Sequence, residues 1–178
     1  MLGVVGAKRA PPQFLGCLST GEQRKIMPMQ PDGFQTRSRR VVHENRPWLV
    51  VEQHAVEFRE NGVVTRTIED WAWVETPDYV CVLPVFDDGR CLCFEQCKYG
   101  VEGTTLSTVA GLIDPGEDPL TAAKRELREE AELEAKNWLA LGGFRVDGNR
   151  GAGIAHLFLA RELRPTSDKH ESDDIEPM

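Results

Sequence analysis

Between Gly111 and Leu133 the chain reads GLIDPGEDPLTAAKRELREEAEL, and its chemistry lies in the carboxylates. Turned through about 100° per residue, Glu126, Glu129 and Glu130 fall on one flank of a helix at i, i+3 and i+4. Lys124, Arg125 and Arg128 fall mostly on the other flank, so only Arg125–Glu129 and Arg128–Glu132 offer opposite-charge i, i+4 contacts. A cluster so under-neutralised by its own helix suits a hard divalent cation, which prefers carboxylate oxygens and keeps positions open for water and phosphate. Mg2+ or Mn2+ held this way would activate water for attack on phosphorus. Since a helix rich in Glu and Arg is more often a solvated charged face, its surroundings must decide between the two.

Those surroundings are ordered. Asp114-Pro115-Gly116 reads as a type II turn, with proline presetting the first central position and glycine supplying positive φ at the second. Asp118 is a good N-cap and Pro119 suits the first helical position, so a helix is expected over Leu120–Leu133. Leu120, Ala123, Leu127 and Ala131 form the stripe that would face a core. Glu117, outside the helix, is placed to shape the loop by hydrogen bonding.

Strand signals surround this helix. Trp48–Phe58 and Val63–Val74 flank an Asn61-Gly62 hairpin turn, and Tyr79–Phe86 and Cys91–Lys98 flank Asp87-Asp88-Gly89. Leu106–Ala110 leads into the glycine, and Leu139–Val146 and Ile154–Glu162 follow the helix across a loop at Asp147–Gly153. One amphipathic helix among such strands predicts an α+β sandwich with a mixed sheet.

The 178 residues, 40% of them hydrophobic, suit one domain with a proper core. Five cysteines without paired zinc-like spacing point to a reducing compartment, the cytoplasm, and Cys91, Cys93 and Cys97 share strand parity as expected of buried small hydrophobes. A net charge of −8 excludes generic nucleic-acid binding, and no apolar stretch is long enough to span a membrane. Residues 1–40 nevertheless hold seven basic side chains against two acidic ones. That composition makes 1–46 a disordered leader, or an organelle transit segment that would direct the protein to a plastid or mitochondrion.

The 111–133 segment resembles the Nudix box, G-x5-E-x7-R-E-U-x-E-E-x-G-U, where U is bulky and apolar. Gly111, Glu117, Arg125, Glu126, Leu127, Glu129, Glu130 and Leu133 stand where the pattern asks, and Glu132 takes the place of the second glycine. Either the helix runs on through Glu134-Ala135-Lys136 or it ends in a strained left-handed residue. The resemblance implies an α/β/α Nudix domain over 76–178, preceded at 47–75 by antiparallel strands that exchange across a homodimer. It implies Mg2+ or Mn2+ held by Glu126 and Glu130 with Glu129 and the Ala110 carbonyl, and a catalytic set of Glu129, Arg125 and Glu117 in which Arg125 orients the carboxylates.

Phe94–Tyr99, Val109-Ala110-Gly111 and His156–Ala160 are similar to the ADP-ribose pyrophosphatase branch, with Lys98 where that branch carries a phosphate-binding arginine and Ser107 where it carries a glutamate. The implied activity is hydrolysis of ADP-ribose or a nucleotide sugar at its diphosphate. Trp71 and Trp73 would stack on a nucleobase or serve as an aromatic core face. Glu171, Asp174 or Glu176 would supply a further carboxylate from the acidic C-terminal stretch. A nucleotide-binding module that does not cleave, suggested by Glu132, Ser107 and the short C-terminus, and a nucleoside triphosphate pyrophosphatase are the alternatives.

Overall fold

The computed structural model describes residues 32–166. The expected leader up to residue 31 and the candidate carboxylates Glu171, Asp174 and Glu176 lie outside the described residues.

Three long strands open the described chain: β1 (Gly33–Asn45), β2 (Leu49–Glu60) and β3 (Val63–Glu75), paired as an antiparallel meander. Asn61 and Gly62 turn β2 into β3 with φ of 50° and 76°, the two positive values a type I′ hairpin requires. β1 occupies residues whose composition reads as leader. Its side chains are nearly all exposed, so it shows little apolar alternation, and it is held instead by its ladder to β2 and an Arg37–Glu57 ion pair at 3.2 Å. Phe34 adds ring contacts to Phe58 at 4.9 Å and Trp71 at 5.7 Å.

The remaining elements are β4 (Tyr79–Pro84), β5 (Phe94–Cys97), β6 (Thr104–Ser107), β7 (Val109–Leu112), α1 (Pro119–Ala131), β8 (Leu133–Asp147) and β9 (Gly151–Pro165). The main sheet runs β1-β2-β3-β9-β4-β7, with β8 also paired to β9. β4 is parallel to β9 and antiparallel to β7, so the sheet is mixed. Along β4 alternate residues Val80, Val82 and Pro84 are buried, and Val80 and Val82 join Val109, Phe158 and Ala160 against Ala122, Ala123 and Leu127 of α1. Fully burying a side chain such as Leu127 is worth about 1.5–3 kcal/mol, which fixes the height and rotation of the helix on the sheet. Among the described residues no helix is long and apolar enough to cross a membrane.

α1 starts as its capping residues require: Asp118 accepts from the N–H groups of Leu120 (3.1 Å) and Thr121 (3.2 Å), and Pro119 follows it. It stops at Glu132, which adopts the left-handed conformation with φ 51° and ψ 34° while its N–H reaches Arg128 O at 3.0 Å. The helix therefore does not run on through Lys136. Arg128, deprived of Glu132 by this turn, pairs with Glu134 at 3.3 Å.

The expected strand at Leu106–Ala110 is two strands, because β6 pairs with β5 in a separate hairpin and β7 belongs to the main sheet. The hairpin corrects the expectation for the cysteines: Cys91, Cys93 and Cys97 are exposed. The half-buried positions of β5 are Phe94, which packs on the core, and Gln96. Among the described residues no second layer covers the other face, so strand parity puts Cys97 in solvent.

Candidate functional site

Arg125 is the hub around which the box residues gather. Its guanidinium donates to Glu117 at 3.0 and 3.2 Å, to Glu126 at 2.6 Å, to Glu129 at 3.1 Å and to the Leu112 carbonyl at 2.9 Å. Helical spacing already offers Arg125 the i, i+4 contact with Glu129, and its long side chain reaches further, to Glu126 and back to Glu117. The fork geometry of a guanidinium lets one cation hold three carboxylates and a carbonyl in fixed directions. Glu117 completes the loop as expected, accepting from the Asp114 N–H at 3.2 Å while the turn closes through Glu117 N–H to Asp114 O at 3.0 Å.

Gly111 explains its own place in the pattern. A Cβ at this position would run into the Glu126 carboxyl group, so the absent side chain is the cradle in which that carboxyl lies. Glu126 is consequently buried, at 8% exposure.

Glu130 meets the sheet at the neighbouring residue, accepting from the Ala110 N–H at 3.1 Å. Strand pairing makes this possible. Ile113 N–H donates to Asp78 O, so residues of β7 at alternate positions from Ile113 bond to β4, and Ala110 and Leu112 turn both backbone groups to the opposite edge. Among the described residues no strand pairs with that edge. Glu130 and Arg125 occupy it, and the Ala110 carbonyl points the same way.

Loss of hydration is the main influence on Glu126, which is buried, and on Glu130, which keeps solvent on its outer side. It pushes Glu126 above the ordinary carboxylate range against the opposing pull of Arg125. It pushes Glu130 up as well, while the Ala110 N–H and the positive charge of Lys98 pull it down. Hydrogen bonds from Arg125 hold Glu117 below the usual range. The same guanidinium is held firmly protonated, above all by Glu117.

The structure thus brings together Glu117, Arg125, Glu126, Glu129, Glu130 and Ala110, with Lys98 within electrostatic reach of Glu130. Trp71 and Trp73 make other contacts. The Trp71 ring N–H donates to Asn149 O at 2.7 Å, and Trp73 stacks on the buried His54 at 5.4 Å. Ser107 accepts from the Gln96 side chain at the base of the β5–β6 hairpin. Sequence reasoning missed the Leu112 carbonyl, because a backbone acceptor carries no side-chain signal. It also missed a cleft of about 540 Å3 in which Trp48 and His156 face the Asp114–Glu117 turn.

The oxygen donors present fit a hard divalent ion. Among the described residues no three His, Cys, Asp or Glu side chains yet surround a common point, since Glu126 faces Arg125 and Glu130 faces Ala110. Mg2+ asks for less, taking one or two carboxylates and completing its shell with water and substrate phosphate. The buried Glu126 carboxyl in its Gly111 cradle, the exposed Glu130 carboxyl and a carbonyl on an open edge meet that demand.

Residues 75–177 match the model of the NUDIX domain. An ADP-ribose pyrophosphatase of Bacillus subtilis (strain 168) is 35% identical over 103 residues, covering 58% of this chain and 56% of that protein. The ADP compounds hydrolase NudE of Escherichia coli (strain K12) is 32% identical over 130 residues, covering 73% of this chain and 67% of that protein. The chain thus spans little more than half the length of the first of these relatives. A crystal structure of an ADP compounds hydrolase superposes with a TM-score of 0.62 at 25% identity, covering 80% of this chain and 74% of that one. A family model matched over more than half the chain, along the very segment whose glycine, arginine and glutamates the fold draws together, places this protein in the Nudix family.

Proposed function

We propose that the protein hydrolyses the diphosphate linkage of a nucleoside diphosphate joined to another group, ADP-ribose or a nucleotide sugar, with Mg2+ or Mn2+. The observation that carries this reading is the edge of β7, where Glu130 and the Ala110 backbone meet beside Glu126, Glu129 and Lys98. The names of the relatives, ADP-ribose pyrophosphatase and ADP compounds hydrolase, support the same substrate class.

Glu126, Glu130 and the Ala110 carbonyl would hold the ion, with Glu129 alongside. When bound, the ion would polarise a phosphoryl oxygen and acidify a water. Arg125 keeps the carboxylates pointed and stays out of the proton inventory. Glu129, exposed at the rim and held on one oxygen by Arg125, is the carboxylate that would take the proton of the attacking water. Lys98 meets the phosphate charge as a point charge without the paired donors of an arginine. From ADP-ribose the products would be AMP and ribose 5-phosphate. The exposed Phe34, Val41 and Val42 of β1 support association of two copies through the N-terminal strands.

Glu130→Gln removes the charge and keeps the shape. It should remain folded and lose Mg2+-dependent turnover by about a hundredfold or more. Assay of ADP-ribose, nucleotide sugars, NADH and diadenosine polyphosphates with each ion would identify the substrate. Turnover in Glu130→Gln equal to that of the parent protein refutes the mechanism.

A further inference from the structure

The outward edge of β7 carries four backbone groups in a row. Val109, Gly111 and Ile113 turn theirs to β4, in keeping with the Ile113 N–H bond to Asp78 O at 3.1 Å, and Ala110 and Leu112 turn theirs away from it. In chain order the outward groups are the Ala110 N–H, the Ala110 carbonyl, the Leu112 N–H and the Leu112 carbonyl. Side chains of α1 take the two outer ones. Glu130 accepts from the Ala110 N–H at 3.1 Å, and Arg125 donates to the Leu112 carbonyl at 2.9 Å. The two inner groups are one acceptor and one donor, and among the described residues neither has a protein partner.

Unpaired groups on a sheet edge are ordinary, but this pair lies between a carboxylate and a guanidinium of the candidate site. Solvent reaches it, since Leu112 is 40% exposed and Ala110 half-buried. The two residues span about 7 Å of strand. An acceptor and a donor side by side suit a cation and the anion that accompanies it, and a phosphate brought by a divalent ion is such an anion. The N–H has no rotamer to lose, and Arg125 on the carbonyl of the same residue adds positive charge beside it.

We propose that the Leu112 N–H is a substrate-binding group that donates to a non-bridging oxygen of the diphosphate. The proposal rests on the hydrolase reading and adds to its site a neutral, preorganised donor. Its bond strengthens as negative charge grows on the phosphoryl oxygens, so its loss falls on kcat.

Gly111-Leu112 is the single Gly-Leu step of the sequence, so protein labelled with 13C at glycine carbonyls and 15N at leucine gives one carbonyl–amide correlation, that of the Leu112 N–H. With Mg2+ present, α,β-methylene-ADP, whose bridging carbon resists cleavage, should move this amide proton downfield, and adenosine should leave it in place. Replacing Leu112 by its α-hydroxy acid exchanges the N–H for an ester oxygen. Leu112→Pro removes the same N–H from a position that makes no ladder bond. Each variant should lose roughly a hundredfold in kcat on the best substrate of the panel. The Tm increment given by Mg2+ alone should stay that of the parent protein, whereas a merely structural role would diminish it together with turnover. An unmoved amide at saturating α,β-methylene-ADP, an equal response to adenosine, parent kcat in the ester variant, or a loss of the Mg2+ increment in both variants overturns the proposal, and wild-type turnover then leaves the hydrolase reading intact. Wild-type protein that neither binds α,β-methylene-ADP nor cleaves any member of the panel overturns the hydrolase reading itself.

Discussion

Gly111 is the residue at which backbone freedom and chemistry meet most closely. Its φ is not in the left-handed region, so the demand for glycine comes from the Glu126 carboxyl lying where a Cβ would be. Gly111→Ala should keep the fold, since the carboxyl is the far end of a flexible side chain, and swing Glu126 out of its cradle. Apparent Mg2+ affinity should fall by roughly tenfold to a hundredfold, the usual cost of disturbing a ligand's support, as read by titrating the ion against activity. Full affinity in that variant would mean Glu126 has no part in holding the ion. The grouping of Glu126, Glu129 and Glu130 was legible from helical angles. So was the Arg125–Glu129 pair at i, i+4, but the simultaneous reach of Arg125 to Glu126, Glu117 and the Leu112 carbonyl was not, because angles locate Cβ atoms and not the end of a long side chain.

At the scale of elements, α1 shows how local signals can specify one end of a helix better than the other. Asp118 and Pro119 announce its start in the sequence, and the structure begins the helix at Pro119. Its end was open because Glu132 stands where glycine is expected, and the left-handed φ of 51° shows that the turn is made regardless. Glu132→Gly should therefore stabilise the protein by about 1 kcal/mol, raising Tm by roughly 2–4 °C, measured by thermal unfolding. A lower Tm would show that the Glu132 side chain contributes more than its backbone costs. β1 was missed for a different reason: an exposed strand without apolar alternation differs little in composition from a leader, and its ladder to β2 cannot be read from its own residues. The hairpin cysteines were misread because parity gives two faces and does not say which one is covered.

For the whole molecule, acidity separates the proposed metal site from the scaffold. Loss of hydration raises Glu126 and Glu130 above ordinary carboxylates, and if they hold Mg2+ as proposed, protons would compete with the ion for the same oxygens. Glu117 is shifted the other way. Its contribution with Arg125 is present above the unfolded carboxylate pKa and is lost only as pH falls through the lowered folded value. Acidification should thus abolish ion binding before it loosens the turn. The Tm increment given by a fixed Mg2+ concentration should shrink as pH is lowered from neutrality toward the carboxylate range, ahead of any acid unfolding. An increment constant over that interval would place ion binding elsewhere.

The open edge of β7 has a consequence for anyone dissecting this site by substitution. If the oxygen offered at position 110 belongs to the main chain, every amino acid carries it, and a systematic alanine scan would pass over it in silence. The same immunity holds in evolution: a ligand encoded by strand register survives any codon at its own position and is lost only when the register slips. Such a contact is inherited with the fold and answers to changes in its neighbours, so its signature in mutational data would appear at Gly111 and Glu130 and be absent at Ala110.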